Sequence, residues 1–483
     1  MFELSIFVLF PLITAPIIYF IKSIKLQYTF SLVVAALHLI ISVLVFINFT
    51  NPKLPWYFGI DSISKFFVTI LSNVYFWVLL TSYSFLKRPA SSKAEEAKKY
   101  YFPLLNLYLA FNSAAMLSNH YGLYWVTVEA TTLSVAPLIY FYRKEESLEA
   151  MWKYIFIVSI GIAFAFIGIL FLTLSAKGTS IEGQQLFFWE YIKSAKELNT
   201  TWLKVSFIFI FVGLSTKIGI APMHSADVDA TSNAPSPIAA LMSGSLRLTA
   251  LIGVMRILQI TAQTSVYEFA KLLLIIGGML SVFVTFISMF KVNNYKRMLS
   301  YSSVEHLGII AIGLGIGGIA FIGALYHSIY NSVVKIVLFL SAGIIHYKYD
   351  TREVSGVRAV LNKLPKSGWI YLFALLAISG IPPFGIFFSE ITIFEGILFS
   401  EQPILLALFM FMLLFIFINM SKISFSMLYK NDDTNKEIEH ENVDIIYIAS
   451  IILLVGVSLL AIFNPDILYQ NILNIAAEFN ISL

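Results

Sequence analysis

The fold is decided by residues 213–237, which read GLSTKIGIAPMHSADVDATSNAPSP. Lys217 lies at the end of an apolar run typical of a helix, and Gly219 and Pro222 then interrupt that helix, because glycine loosens the backbone and proline lacks a donor. A lysine at membrane depth costs about 2.5–3.5 kcal/mol on insertion scales. Broken backbone in a membrane is tolerated where it lines a cavity or is buried in protein. The stretch therefore predicts a proton or ion site, with a locally satisfied or snorkelling lysine as the alternative.

A second stretch, residues 378–395, reads ISGIPPFGIFFSEITIFE and follows the same pattern. An apolar run is interrupted at Gly380, Pro382 and Pro383, and Glu390 follows the break. Two interrupted spans in corresponding halves of a chain are typical of the substrate site of an inverted-repeat transporter.

The composition indicates a polytopic helical membrane protein. Of 483 residues, 58% are hydrophobic and only 12% are charged, about half the charged fraction of a soluble domain. Cysteine is absent, which excludes disulfides and thiolate-held clusters. The seven histidines are not spaced as metal ligands, so we expect neither a metal nor a cofactor. The net charge of +4 is spread over loops, with no nucleic-acid-binding pattern.

Apolar runs predict an all-α membrane protein, because a bilayer core of ~30 Å needs about 20 apolar residues per helix. About fourteen transmembrane helices are expected, at residues 4–21, 28–49, 64–86, 102–118, 121–141, 152–174, 203–222, 237–260, 271–290, 301–319, 321–346, 369–398, 403–429 and 444–463. The fourth to eighth and the ninth to thirteenth would form two inverted five-helix repeats, each with a broken fourth helix.

This organisation predicts four segments and one orientation. The segments are an N-terminal three-helix segment, a first repeat, a second repeat and a C-terminal loop with the last helix and tail, at 1–101, 102–260, 261–429 and 430–483. Lysine and arginine concentrate in alternate loops, for example at Lys87, Arg143 and Arg352. Since such loops are usually cytoplasmic, we expect both termini on the outer side of the cell membrane.

Ionisable residues inside the predicted spans are the candidate proton carriers. Glu129 is the one acid in its apolar run, and Lys217 is its expected partner, either as a proton-loading switch or as a static pair that fixes packing. Arg247 lies in the eighth span and hardly deprotonates, so it would set the local field. His224, Asp227 and Asp229 follow the first break and either form the cytoplasmic mouth or cap the eighth span.

The second half carries a row of polar residues. Glu305 and His306 lie about one turn into the tenth span. Histidine suits a proton shuttle, whereas Glu305 alternatively caps the helix start. His327, Asn331 and Lys335 follow at i, i+4 and i+8, on one helix face over about 12 Å. Such a stripe in an apolar helix favours a hydrated path that ends at Glu390.

Motifs along the chain carry a family resemblance: WVTVEATTLS at 125–134, STKIGIAPMH at 215–224, NAPSPIAALMSG at 233–244, YKRMLSYSSVEHLGII at 295–310, KIVLFLSAGII at 335–345 and SGIPPFGIFFSE at 379–390. The chain resembles the antiporter-like membrane subunits of respiratory complex I, Mrp antiporters and group 4 membrane-bound hydrogenases, in particular the hydrogenase-4 (formate hydrogenlyase) component F branch. The resemblance implies that Glu129 and Lys217 are the family's glutamate–lysine pair, His327 and Lys335 its eleventh-helix relay, and Glu390 the charge of its broken twelfth helix.

The resemblance also implies a function and partners. The subunit would move protons, or sodium, driven by a redox reaction in subunits that carry iron–sulfur or nickel centres, and it would contact lipid and other hydrophobic subunits. It would itself be a non-redox, ion-translocating subunit of an oxidoreductase complex. The alternatives are an Mrp-type exchanger without redox drive and a structural subunit that does not pump. The sequence departs from the family at Leu248, where many members carry a lysine, and at Thr231, where many carry a second histidine.

Overall fold

The chain folds almost entirely into helices, as predicted. The computed structural model describes residues 2–48, 57–88, 92–181, 183–195, 197–431, 441 and 444–481, and these ranges contain no strand. The helices are α1 Phe2–Phe20, α2 Ile24–Asn48, α3 Ser62–Leu86, α4 Ser92–Leu117, α5 Tyr121–Ile139, α6 Glu145–Ser175, α7 Trp189–Ser194, α8 Thr200–Ile218, α9 Ser225–Asn233, α10 Ser236–Leu241, α11 Arg247–Thr261, α12 Tyr267–Met289, α13 Tyr295–Ile316, α14 Gly318–Tyr349, α15 Val360–Lys363, α16 Pro365–Ile378, α17 Gly385–Phe399, α18 Pro403–Tyr429, α19 Ile445–Phe463 and α20 Asp466–Ala477.

The helices identify a multi-pass membrane protein. Within the described ranges, 10 helices are long and apolar enough to cross a membrane, and a π-helix at Met242–Leu246 joins α10 and α11 into one of them. Two shorter apolar helices cover Phe7–Phe20 and Pro365–Ile378. Both predicted interruptions are present: α8 is separated from α9, and α16 from α17.

The spans that carry Arg247, Glu305 and Lys335 lie at the centre of the bundle. The apolar windows of Ser236–Thr261, Tyr295–Ile316 and Gly318–Tyr349 are 100%, 94% and 89% buried, whereas that of Pro403–Tyr429 is only 28% buried. The outer helices present leucine, isoleucine and phenylalanine outwards, as a lipid-facing surface requires. The buried charges discussed below therefore have protein neighbours rather than lipid.

Some helix boundaries differ from the predicted spans. Helix α4 begins at Ser92, ten residues before the predicted start, because a charged, helix-favouring segment extends it beyond the apolar run. Helices α13 and α14 meet at Gly317, whose φ of 80° favours glycine. Helix α20 follows the last predicted span and was not predicted. Most of the loop at 430–443 lies outside the described residues.

Loops predicted on one side of the membrane contact one another. Arg352 donates to the carboxylate of Glu146 (2.6 Å) and to the side-chain oxygen of Asn233 (2.7 Å). At the opposite end, Trp189 donates to the Ser118 carbonyl (2.7 Å). The alternate loops thus collect at two ends of the bundle. Which end is cytoplasmic, and the four-segment division, stay predictions.

Candidate functional site

The first broken helix places Lys217 in the protein interior. Helix α8 ends at Gly219, which has a φ of 83° and is followed by Pro222. The Lys217 side chain, in the last turn, is fully buried. Its ammonium donates to the Val128 carbonyl and to the Thr132 hydroxyl, both at 2.7 Å. The lysine is therefore held by neutral oxygens of α5 and does not snorkel.

Glu129 does not form the expected ion pair with Lys217. Its Oε1 accepts a hydrogen bond from the Ser159 hydroxyl of α6 at 2.6 Å, and its buried Oε2 has no hydrogen-bond partner among the described residues. The helix explains the difference. Val128 and Thr132 are four residues apart and share the face towards α8, whereas Glu129 is turned by about 100° towards α6. Ser159 was not predicted from the sequence as a partner of Glu129, because a single serine in an apolar helix has no pattern that indicates such a role.

Asp227 and Arg247 form a buried ion pair at the centre of the bundle. Their side chains are 1% and 0% exposed, and Arg247 also contacts the Thr231 hydroxyl at 3.4 Å. The Asp227 carboxylate lies against Gly219, so it faces the break. Two roles were predicted for Asp227, at the cytoplasmic mouth or as a cap of the eighth span. The buried pair with Arg247 fits neither role. Leu248, where the resemblance implies a lysine in many relatives, is buried and apolar.

Asp229 lies instead at a polar cavity of about 530 Å³ at one end of the bundle. Its carboxylate contacts Arg297 at 2.9 Å and Lys153 at 3.7 Å. The half-buried His224 lies beside the ring of Tyr301, with ring centroids 6.2 Å apart. Asp229 therefore matches the predicted mouth, and His224 lies close enough to Arg297 and Asp229 of that cavity to interact with them electrostatically.

The second half brings its predicted residues together on three helices. Lys335 of α14 is fully buried and donates to the Ser302 hydroxyl (2.9 Å) and the Leu299 carbonyl (3.3 Å) of α13. One helical turn away, Asn331 is 1% exposed, and its side-chain oxygen has no partner among the described residues. Neutral oxygens hold the lysine of this half, as they do in the first half.

The capping alternative for Glu305 is wrong. Helix α13 begins at Tyr295, ten residues before Glu305, so Glu305 lies about three turns into the helix rather than one. Its side chain is 6% exposed. Lys296, which the sequence placed in a loop, is buried in the first turn and donates to the Ala234 carbonyl at 2.6 Å.

A histidine pair connects α13, α14 and the second broken helix. His306 Nδ1 and His327 Nε2 are 2.9 Å apart, and the rings stack with centroids 5.1 Å apart. His327 Nδ1 lies 3.0 Å from the Ser389 hydroxyl of α17. Ser389, like Ser159, was not predicted.

Glu390 completes this cluster. One donor atom each of His306, His327 and Glu390 lies within 4.8 Å of the other two. The histidines are not spaced like metal ligands along the chain, as expected. In the folded structure, however, two of them meet Glu390 in an arrangement like that of metal ligands, because the three residues come from three helices that pack together. The Glu390 carboxylate also lies against Gly380.

Sequence similarity assigns the chain to a family. The sequence profile of the NADH:quinone oxidoreductase/Mrp antiporter transmembrane family matches residues 118–416. The chain belongs to this family. The match contains Glu129, Lys217, Lys335 and Glu390, and it therefore covers both broken helices.

Individual relatives agree with this assignment. The chain is 31% identical over 367 residues to a hydrogenase-4 component F homologue of Methylacidiphilum infernorum, covering 75% of this chain and 77% of the relative. Its fold is similar to a chain of an archaeal membrane-bound sulfane sulfur reductase, a respiratory membrane complex (TM-score 0.85, 20% identity, 99% and 97% coverage). It is also similar to a chain of the Mrp complex of Dietzia sp. DQ12-45-1b (TM-score 0.84, 17% identity, 100% and 98% coverage). The family's proteins are subunits of multi-subunit membrane complexes.

Proposed function

We propose that this chain is the proton-translocating membrane subunit of a complex I-like or hydrogenase-type redox complex in the cell membrane, with both termini outside. One observation carries the proposal: each broken helix brings an ionisable residue, the fully buried Lys217 or the partly buried Glu390, into a membrane bundle, and further buried charges lie between them. Ionisable side chains inside membrane spans are costly, and they mark ion or proton pathways.

The proposed path starts at the polar cavity beside Asp229 and reaches Lys217. It continues past the Asp227–Arg247 pair to Lys335 and Glu305. The His306–His327 pair then carries the proton to Glu390. Several buried polar atoms near these residues have no hydrogen-bond partner in the described part of the protein, namely Tyr154 Oη, Arg247 Nε and Nη1, Asn331 Oδ1 and Ser379 Oγ. Because buried polar groups are normally bonded to protein or water, these atoms favour hydration along the path.

Glu129 provides the switch in this proposal. Its carboxylate is bonded to Ser159, and Lys217 is bonded to the same helix, α5, that carries Glu129. Turning the carboxylate from Ser159 towards Lys217 would stabilise the charged lysine, and turning it back would release the proton. Because Oε2 of Glu129 has no hydrogen-bond partner among the described residues, no second hydrogen bond holds the carboxylate in its position beside Ser159.

The driving energy must come from partner subunits. Each unit charge moved against 100 mV needs about 2.3 kcal/mol. The chain contains no cysteine with which to hold an iron–sulfur cluster. We therefore propose redox subunits carrying iron–sulfur or nickel centres as partners, together with other hydrophobic subunits.

Mass spectrometry of the native complex, purified in mild detergent, tests the redox coupling. We expect an iron–sulfur or nickel protein to co-purify with this chain. Co-purification of small hydrophobic antiporter subunits alone would overturn redox coupling. That result would favour an Mrp-type cation/proton exchanger, the second function, which the fold similarity to the Dietzia Mrp chain supports.

A further inference from the structure

The side chains of His306, His327 and Glu390 form a compact set of metal-ligating groups inside the membrane bundle. They come from α13, α14 and α17, and one donor atom of each lies within 4.8 Å of the others. We propose that this triad binds a transition-metal dication such as Zn²⁺, and that the bound ion blocks proton movement through the second half of the subunit. The binding is independent of the proposed function, and only the block depends on it.

The donor set favours a transition metal over magnesium or calcium. Two imidazoles and one carboxylate, with a fourth position left open, are the ligands of a common class of three-ligand zinc sites. Magnesium and calcium instead prefer oxygen ligands. The facing nitrogens of His306 and His327 are 2.9 Å apart. At Zn–N distances of about 2.0–2.1 Å they would subtend roughly 90°, so a slight separation of the rings reaches tetrahedral geometry.

Ser389 orients one of the histidines for this role. Its hydroxyl donates to the Ile386 carbonyl at 2.9 Å, so its oxygen accepts from His327 Nδ1 at 3.0 Å. The proton of neutral His327 is then on Nδ1, and the lone pair of Nε2 points towards His306. A hydrogen bond of this kind at the second ring nitrogen is what fixes a metal-binding histidine.

The surrounding charges accommodate a dication. Besides Glu390, the carboxylate of Glu305 lies close enough to interact electrostatically with Glu390 and with Lys335. Arg247 also acts on Lys335 but is paired with Asp227. Two carboxylates therefore remain against one lysine, which leaves an excess of negative charge when all three are ionised. Glu390 is only partly buried, whereas both histidines are at most 2% exposed. The ion would therefore reach the histidines from the Glu390 side.

Zinc binding to the intact purified complex tests the site. The complex is equilibrated with Zn²⁺ alone, dialysed, and its metal content is measured together with zinc X-ray absorption. We compare the wild type with His306→Gln and with His120→Gln, which changes a loop histidine outside the triad. Wild type and His120→Gln should bind one more zinc per copy of this chain than His306→Gln, with two imidazole ligands in the spectrum. Equal zinc contents in all three would overturn the site.

Two further variants keep the test valid if His306→Gln fails to assemble. His306→Cys supplies a thiolate ligand and should retain the zinc. Ser389→Ala should weaken binding by about tenfold or more, as loss of an outer hydrogen bond usually does, whereas Ser389→Thr should not. An assembled His306→Cys complex without the zinc would overturn the site.

Proton transport by the wild-type complex, with and without Zn²⁺, tests the block. We expect zinc to slow transport over the concentration range in which the triad fills. If zinc fills the triad without slowing proton transport, the proposed block is overturned and the metal site is retained. Zinc content is measured directly, so a complex that moves no protons would refute the proposed function without affecting the result for the site.

Discussion

The Ser159 hydroxyl holds the carboxylate of Glu129 on the α6 side, 2.6 Å away, while Lys217 binds oxygens of α5. A hydrogen bond to a charged group contributes about 1.5–3 kcal/mol. The balance between the two positions of Glu129 therefore depends on this one serine.

We predict that Ser159→Ala slows proton transport by roughly tenfold, because the carboxylate loses a bond of that strength and remains paired with Lys217. The measurement is the initial rate of proton transport by the reconstituted complex. The matched control is Ser206→Ala, which removes a serine of α8 that donates to the Gly168 carbonyl of α6 at 2.7 Å. Equal rates in the two variants would contradict the switch.

The Asp227–Arg247 pair gives a prediction for stability. Removing one partner of a buried ion pair typically costs about 3–5 kcal/mol, because the other charge stays buried, whereas replacing both by apolar residues is often close to neutral. We expect Arg247→Leu to destabilise the subunit strongly, and the double variant Asp227→Leu with Arg247→Leu to recover most of the loss. Thermal unfolding of the purified complex measures both. No recovery in the double variant would show that the two side chains do not act as a pair.

At the scale of the helix, the two breaks depend on glycine. Gly380 has a φ of 64°, and a side chain there would meet the Glu390 carboxylate. Gly219 has the same role beside Asp227 in the first half. Each break therefore places a carboxylate directly against the backbone of its glycine.

We predict that Gly380→Ala destabilises the subunit by about 1–3 kcal/mol, the usual cost of a residue held in a strained backbone conformation, and lowers proton transport by displacing Glu390. The matched control is Gly456→Ala in α19, where nothing lies within 4 Å of the added carbon. That variant should gain up to about 1 kcal/mol from helix propensity. Thermal unfolding and transport rates are compared, and equal stabilities would refute the role of the break.

The two breaks were predictable because glycine and proline act locally on the backbone. The contact partners of the buried charged side chains could not be predicted in this way. Spacing indicates which face of a helix a residue shares, but not which helix covers that face. For this reason the direct Glu129–Lys217 contact is missing, although the two groups lie close enough to interact electrostatically. The meeting of His306, His327 and Glu390 could likewise not be found from the sequence.

At the scale of the molecule, hydrophobicity was enough to predict the fold, since each apolar run must form a helix that satisfies its own backbone in lipid. Which spans lie deepest in the bundle was harder to predict from the sequence. The spans that carry Arg247, Glu305 and Lys335 are the most buried of the candidate spans in the described residues, because lipid excludes their charges and the bundle provides partners. The apolar outer helices surround these central spans.

In the proposed function, protons pass along the buried charges of these central spans. Proton transport per electron transferred, in proteoliposomes of the intact complex, tests it most directly. The variants are Lys217→Met and Lys335→Met, with Lys204→Met, an exposed lysine of α8, as the control. We predict that both buried-lysine variants keep electron transfer and assembly but lose the transport assigned to this subunit, while the control is unchanged. Unaltered transport in assembled Lys217→Met would contradict the account.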